Sequence, residues 1–347
     1  MKILVTGAAG FLGLHVVNQL AGKGHEIVAL DMEPIHTRDY PDNVKFFQID
    51  IRNMPVMQKV LADEGIEAVV HGAAALPLWD RKDIFETNVQ GTRNLLELSK
   101  QLGVKRFCYV SSTAVYGVPE KHPIVETDTL VGVGPYGESK IMAEAVCEEY
   151  RSKDLTVSII RPKTFVGTVR MGVFSILYEW VMEGHRVPVI GDGTNRYQLL
   201  EVEDLVDAFE LTLTKPAKKV NNTFNVGAVE FNTVNEDVGA LCEHAGTGAR
   251  VMHTPSKLVK PLLKGFDQLG LSPLYQWVYD TADKDSFVST DKIQKALGWK
   301  PKYSNADALI KSYDWFRDNY DEIKKQHGVT HTVIWKEGIL GLFKKIL

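Results

Sequence analysis

Through the first half of the chain, short and almost continuous apolar runs alternate with longer amphipathic ones. KILVT (2–6), EIVAL (26–30), VKFFQI (44–49), EAVVHG (67–72), RFCYVS (106–111) and TVSIIR (156–161) read as strands. Such runs lack the in-and-out alternation of a sheet with one wet face, and so predict strands covered on both sides. Between them, FLGLHVVNQLAGKG (11–24), MPVMQKVLADEG (54–65), a long stretch at about 82–102 and YGESKIMAEAVCEEY (136–150) carry helical patterning. Strands alternating with helices through right-handed crossovers predict an α/β fold, a doubly wound parallel sheet. After about residue 170 the rhythm turns irregular and more helical. We therefore expect a first domain over 1–170, to which some later segments return. A smaller, mostly helical C-terminal substrate-binding domain over 171–330 should follow, and then an amphipathic tail over 331–347.

Composition narrows the class of partner. The 347 residues are 44% hydrophobic and 24% charged, with a net charge of −4, an ordinary globular balance without the basic footprint of a nucleic-acid binder. The three cysteines, Cys108, Cys147 and Cys242, are far apart and odd in number, which suits neither a disulfide framework nor a metal site. MKILVTG is not laid out as a signal peptide, and no apolar run approaches the ~18 residues that span a bilayer. A cytoplasmic enzyme without a metal is the expectation.

The first candidate chemistry is VTGAAGFLG, where Gly7, Gly10 and Gly13 follow a strand and open a helix. Glycines in that context let the backbone turn tightly and approach a pyrophosphate on the helix N-terminus. The spacing is G-x-x-G-x-x-G rather than the commoner G-x-G-x-x-G. Asp31 ends the second strand 18 residues after Gly13, where a carboxylate can hold the adenosine ribose hydroxyls. Asp50 ends the third strand, beside the expected adenine. Met32 and Glu33 follow Asp31 with no arginine to accept a 2′-phosphate, so the cofactor expected is NAD rather than NADP.

The motifs TGAAGFLG, DIR (50–52), HGAA (71–74), NVQGT (88–92), SSTAVYG (111–117), YGESK (136–140) and RPKTFVG (161–167) stand in one order and spacing. In this the chain resembles the extended short-chain dehydrogenases/reductases, specifically the NAD-dependent epimerase/dehydratase family, whose first domain is Rossmann-type. GDGTNRYQLLEVEDLVDA (191–208) and KALGWKP (295–301) continue the resemblance. It implies a Ser112–Tyr136–Lys140 triad: Tyr136 as general acid/base, Ser112 bonded to the same substrate oxygen, and Lys140 on the nicotinamide ribose. It also implies a cofactor lined by Phe11, Leu12, Ile51, Gly72, Ala73, Pro162 and Thr164 besides the residues above. Asn88 matches the family's structural asparagine, and His71 is expected to be a satisfied histidine near the cofactor.

Spacing supports the pair independently, since Tyr136 and Lys140 at i and i+4 share one helix face. Spacing alone decides nothing, because Tyr320 and Lys324 repeat it in YDEIK. Bringing a phenol from ~10 to ~7 requires about 4 kcal/mol. A lysine charge ~5 Å away supplies roughly 3 kcal/mol at an effective dielectric of ~20.

For the substrate, three readings stay open. Related 4,6-dehydratases carry an Asp-Glu pair where Thr113 and Ala114 stand, and glucuronate decarboxylases carry a glutamate at the second of these positions. Elimination and decarboxylation are therefore disfavoured, leaving bare hydride transfer. Arg196 matches the arginine that meets the diphosphate in nucleotide-sugar members, which favours a nucleotide-sugar 4-epimerase, with Thr113 also at the substrate. Against that, Thr164 replaces a common asparagine, and residues 251–300 contain no arginine, leaving Lys284 as a substitute. The second reading is a sterol-type dehydrogenase or reductase of a lipid-like alcohol, suggested by Pro77 and Trp79 and by the apolar segment 255–279. The third is a non-catalytic NAD-binding sensor or scaffold, which would not need Ser112, Tyr136 and Lys140 all intact. The resemblance further implies a homodimer through the helices near 82–102 and 136–153. The tail VIWKEGILGLFKKIL is basic and amphipathic, a pattern able to lie on a membrane surface or dock on protein.

Overall fold

The computed structural model describes residues 1–77, 79–268 and 276–325. The 331–347 tail, with its membrane expectation, lies outside the described residues, as does part of the 255–279 segment. Six strands occupy the six apolar runs: β1 (Lys2–Thr6), β2 (Glu26–Asp31), β3 (Lys45–Gln48), β4 (Ala68–His71), β5 (Arg106–Val110) and β6 (Thr156–Pro162). Past them come β7 (Thr164–Val166), β8 (Arg186–Ile190), β9 (Leu199–Glu201), β10 (Thr223–Val226) and β11 (Arg250–Thr254).

The central sheet is parallel and has seven strands in the order β10-β6-β5-β4-β1-β2-β3. Its near-continuous apolar sequences follow from burial on two faces. Ile3, Val5, Ile27, Ala29, Ala68 and Val70 point into one core layer with the helices Phe11–Gly22 and Val202–Thr214. Leu4, Val28, Leu30, Val69, Phe107 and Tyr109 point into the opposite layer, beneath Met54–Glu64, Thr92–Gln101 and Gly134–Tyr150. A period of two with both faces apolar leaves no polar positions to alternate.

The segments returning to this sheet come from well past residue 170. β10 adds to its edge beside β6, the helix Val202–Thr214 packs on Phe11–Gly22, and Ile293, Leu297 and Trp299 join the same core layer. The helix expected near 82–102 is interrupted. It runs as Arg81–Phe85, a π-helical turn Glu86–Gly91, and then Thr92–Gln101. The remaining C-terminal region is mostly helical, built around Phe174–Met182, Val234–Ala245, Ser256–Gln268 and Asn305–Asp318. Two small parallel pairs, β11–β8 and β7–β9, accompany these helices. Strand order reverses between β1 and β4, and it is outside the carboxyl ends of strands at such a switch point that open α/β sheets bind ligands. No helix among the described residues is long and apolar enough to cross a membrane.

Candidate active site

A cleft of about 1840 Å³ opens at that switch point, between the sheet edge and the helical region. Gly7, Gly10, Phe11, Leu12 and Gly13 floor one end of it. Gly7 has φ +74°, and a Cβ there would sit 2.7 Å from Ala73 N and 2.8 Å from Gly72 C. A Cβ on Gly13 would lie 2.1 Å from the Gly7 carbonyl oxygen. These two glycines are steric necessities, because the backbone of Gly72 and Ala73 closes on Gly7 and the Gly7 carbonyl closes on Gly13. Gly10 caps the helix Phe11–Gly22 without a side-chain cap or an acidic first turn, which leaves the positive end of the helix dipole for an anion.

Asp31 stands at the end of β2, as the spacing requires. Its carboxylate accepts from Ala9 N and Glu33 N, both at 2.9 Å. Burial raises its pKa, and these backbone donors oppose the shift. Asp50 and Ile51 line the adjoining wall. Burial works against the Asp50 charge, but the Arg52 guanidinium grips it at 2.7–3.1 Å and holds the carboxyl below its usual range. A glycine turn that tolerates no Cβ, an uncapped helix end and a carboxylate at the end of β2 fit a dinucleotide.

The catalytic candidates converge on the other wall. Ser112 follows β5, and its Oγ accepts the Ala114 N–H at 3.1 Å, leaving the hydroxyl hydrogen free to donate. Tyr136 and Lys140 rise from Gly134–Tyr150, with Lys140 Nζ 5.8 Å from the Tyr136 ring centroid. Lys140 is buried, donates to the Val110 carbonyl at 2.9 Å, and is pushed down to about 8 by burial. Thr113, Trp79, Pro162 and Thr164 also line the cleft. Thr164 Oγ1 lies 3.2 Å from the Tyr197 hydroxyl.

Asn88 sits in the π-helical turn and braces this wall. Its amide holds Ala75 N and O at 2.7 and 3.1 Å and donates to Ser139 Oγ, which in turn donates to the Tyr136 carbonyl. A π-turn inside a helix commonly marks such a functional position. His71 is fully buried between Thr6 and Thr92 hydroxyls at 2.7 and 2.9 Å, and burial pushes it down to about 3. Thr92 spends its hydrogen on the Asn88 carbonyl, so Nε2 of a neutral imidazole carries the proton. His71 is a satisfied core residue. Tyr320 and Lys324 lie away from the cleft, their tyrosine hydroxyl bonded to Glu179 at 2.5 Å.

Arg196 is the sequence candidate that the structure does not bring in. It is exposed and absent from the cleft lining, its guanidinium held over the Phe231 and Phe287 rings at 4.5 and 5.0 Å. Two residues passed over in the sequence do line the cleft. Lys163, between the two expected residues Pro162 and Thr164, is buried, donates to Ser286 Oγ at 2.7 Å, and is pushed down to about 7 by burial. Arg170 reaches the glycine-rich turn. Neither has a local signal, since each is a single basic residue whose direction depends on packing. The helical half of the cleft is otherwise strongly apolar, with Phe174, Leu177, Trp180, Val189, Met252 and Leu263 on its walls.

This combination of doubly wound sheet, dinucleotide cradle and Ser–Tyr–Lys wall defines an NAD-dependent enzyme of the short-chain dehydrogenase/reductase type. The model of the NAD dependent epimerase/dehydratase family matches residues 3–227, and the chain belongs to that family. It is 33% identical over 98% of its length to the protein y4nG of Sinorhizobium fredii, covering 84% of that protein. It is 30% identical to a UDP-glucose 4-epimerase of Lactobacillus helveticus, over 92% of this chain and 98% of the relative. The solved UDP-glucose 4-epimerase of Thermotoga maritima with UDP-glucose superposes with a TM-score of 0.77 at 27% identity, over 92% of this chain and all of that one. The protein is thus an NAD-dependent enzyme of the epimerase/dehydratase kind.

Proposed function

We propose that the protein is a nucleotide-sugar 4-epimerase working by transient hydride transfer. One observation carries this reading: Ser112, Tyr136 and Lys140 share a wall on which Thr113 and Ala114 offer no carboxylate for elimination or decarboxylation. Relatives named UDP-glucose 4-epimerase support the sugar and the nucleotide.

NAD, when bound, supplies a reversible hydride acceptor. Tyr136 takes the proton of the sugar hydroxyl as it becomes a carbonyl and returns it when the alcohol re-forms. The free hydroxyl hydrogen of Ser112 bonds the same oxygen and steadies its developing charge. Lys140 presents its ammonium to the Tyr136 ring and to the cofactor ribose. Gly7, Gly10, Gly13, Asp31 and Asp50 hold the dinucleotide. A cytoplasmic homodimer, formed where the helices Thr92–Gln101 and Gly134–Tyr150 pack side by side and Met142 stands exposed, belongs to the same reading.

A second reading, one-way oxidation or reduction of a lipid-like alcohol, is favoured by the apolar helical half of the cleft and by Arg196 lying outside it. Quantifying NAD released on denaturing the purified protein separates the two. An epimerase keeps its hydride through the cycle, so near-stoichiometric NAD and interconversion of UDP-glucose with UDP-galactose are the expected results. Protein free of NAD that binds NADH reversibly and leaves UDP-sugars unchanged overturns the epimerase reading.

A further inference from the structure

From β7 onward the chain folds back over the first helix. Phe165 stacks on Phe11 at 5.7 Å, and the Thr168 carbonyl lies 3.0 Å from His15 Nε2. At Val169 the backbone takes φ +73°. A β-branched residue in the left-handed region costs on the order of 1–3 kcal/mol and persists only where its surroundings impose it. The result of this strained turn is the placement of Arg170.

Arg170 is 5% exposed, and its Nη1 donates to the Ala9 carbonyl inside the glycine-rich turn. Its guanidinium also interacts with the Tyr40 hydroxyl, itself bonded to the Ala8 carbonyl at 2.7 Å. The nearest carboxylate, Asp39, is 3.7 Å from Nη2, and Nε is buried without any partner. A buried cation so weakly neutralised is costly unless an anion completes it. Arg170 is the one guanidinium among the described residues lining the cleft, and its Nη1 bonds Ala9, the residue before Gly10 at the helix end that favours negative charge. Lys140 and Lys163 are engaged elsewhere along the cleft, with Val110 and Ser286.

We propose that Arg170 is a ligand of the dinucleotide's diphosphate, closing on the glycine-rich turn from the segment that follows β7. The planar fork suits phosphate oxygens. Cofactor affinity then depends on the 167–174 segment that leads into the apolar half of the cleft.

Calorimetric titration of the full-length protein, after removal of any retained NAD, with NAD, ADP and adenosine tests this. Arg170→Met should weaken NAD and ADP about 10–100-fold, the loss of charge-assisted hydrogen bonds, with adenosine unchanged. Equal weakening of all three ligands would make Arg170 a prop for the turn and overturn the proposal, as would unchanged NAD affinity. Arg170→Lys keeps the charge without the fork and reads the same split if the methionine variant does not fold. It should lose less NAD affinity than Met, again with adenosine unchanged, and an equal loss for adenosine overturns the proposal.

Discussion

Removing one carboxylate should show how the wall that carries Ser112, Tyr136 and Lys140 is held. Glu144 lies one helical turn beyond Lys140 and faces Arg161, the residue before Pro162. Both are almost fully buried, at 4% and 5% side-chain exposure. Arg161 Nε and Nη2 reach the two carboxylate oxygens at 2.9 and 2.5 Å, and Ser111, next to Ser112, donates to the same carboxylate at 2.5 Å. Arg161 Nη1 continues to the Tyr116 hydroxyl at 2.7 Å, which donates onward to Asn225 on β10 at 2.7 Å. The network therefore ties together β5, β6, β10 and the helix Gly134–Tyr150, the elements that carry Ser112, Pro162, Tyr136 and Lys140. Glu144→Gln preserves the shape but leaves the Arg161 charge uncompensated, a loss of about 3–5 kcal/mol. Total stabilities are typically ~5–15 kcal/mol, so this is a large fraction. Urea unfolding followed by circular dichroism should show a lowered midpoint at unchanged slope. In the double variant Glu144→Gln/Arg161→Met no charge is stranded, and part of the loss should return. A single variant within about 1 kcal/mol of wild type, or a double variant less stable than the single, would refute the reasoning.

Tyr136→Phe should lower turnover by at least ~100-fold while NAD binding stays intact, measured as product formation beside NAD content; full activity would remove Tyr136 from the chemistry. Gly13→Ala drives a methyl to 2.1 Å from the Gly7 carbonyl and should both reduce thermal stability by about 1–3 kcal/mol and weaken NAD binding. A variant that melts and binds like wild type would contradict that geometry. Lys163 is held at about 7 by burial against an ordinary value of 10.5, so the unfolded chain binds the extra proton between those values. Its contribution is present above the unfolded value and lost as pH falls through about 7. Wild type should therefore gain on Lys163→Met as pH rises from about 7 to about 10, by up to about 1.4 kcal/mol per unit. A stability difference that is flat with pH would show Lys163 unburied.

Local sequence determined a great deal about this protein. Six apolar runs became six strands because two-sided burial demands continuous hydrophobicity, and the i, i+4 rule placed Tyr136 and Lys140 on one face. Gly7 and Gly13 were legible because their constraint is the backbone's own steric limit, acting within a few residues. The place of Asp31, at the end of β2 on the cleft, was legible through a fixed distance along one strand–helix–strand unit.

Tertiary structure decided the rest. Tyr320 and Lys324 share the spacing of Tyr136 and Lys140, yet only packing separates a cleft wall from a surface helix. Arg196 stood in the right motif, but two phenylalanine rings hold it outside the cleft. Lys163 and Arg170 had no periodicity to reveal them. Their partners Ser286 and Ala9 lie 123 and 161 residues away along the chain, and contacts that distant arise only once the sheet and its returning segments have packed. Burial, which presses the charge on Lys163 and strands Nε of Arg170, belongs to the assembled cleft and to no single stretch of sequence.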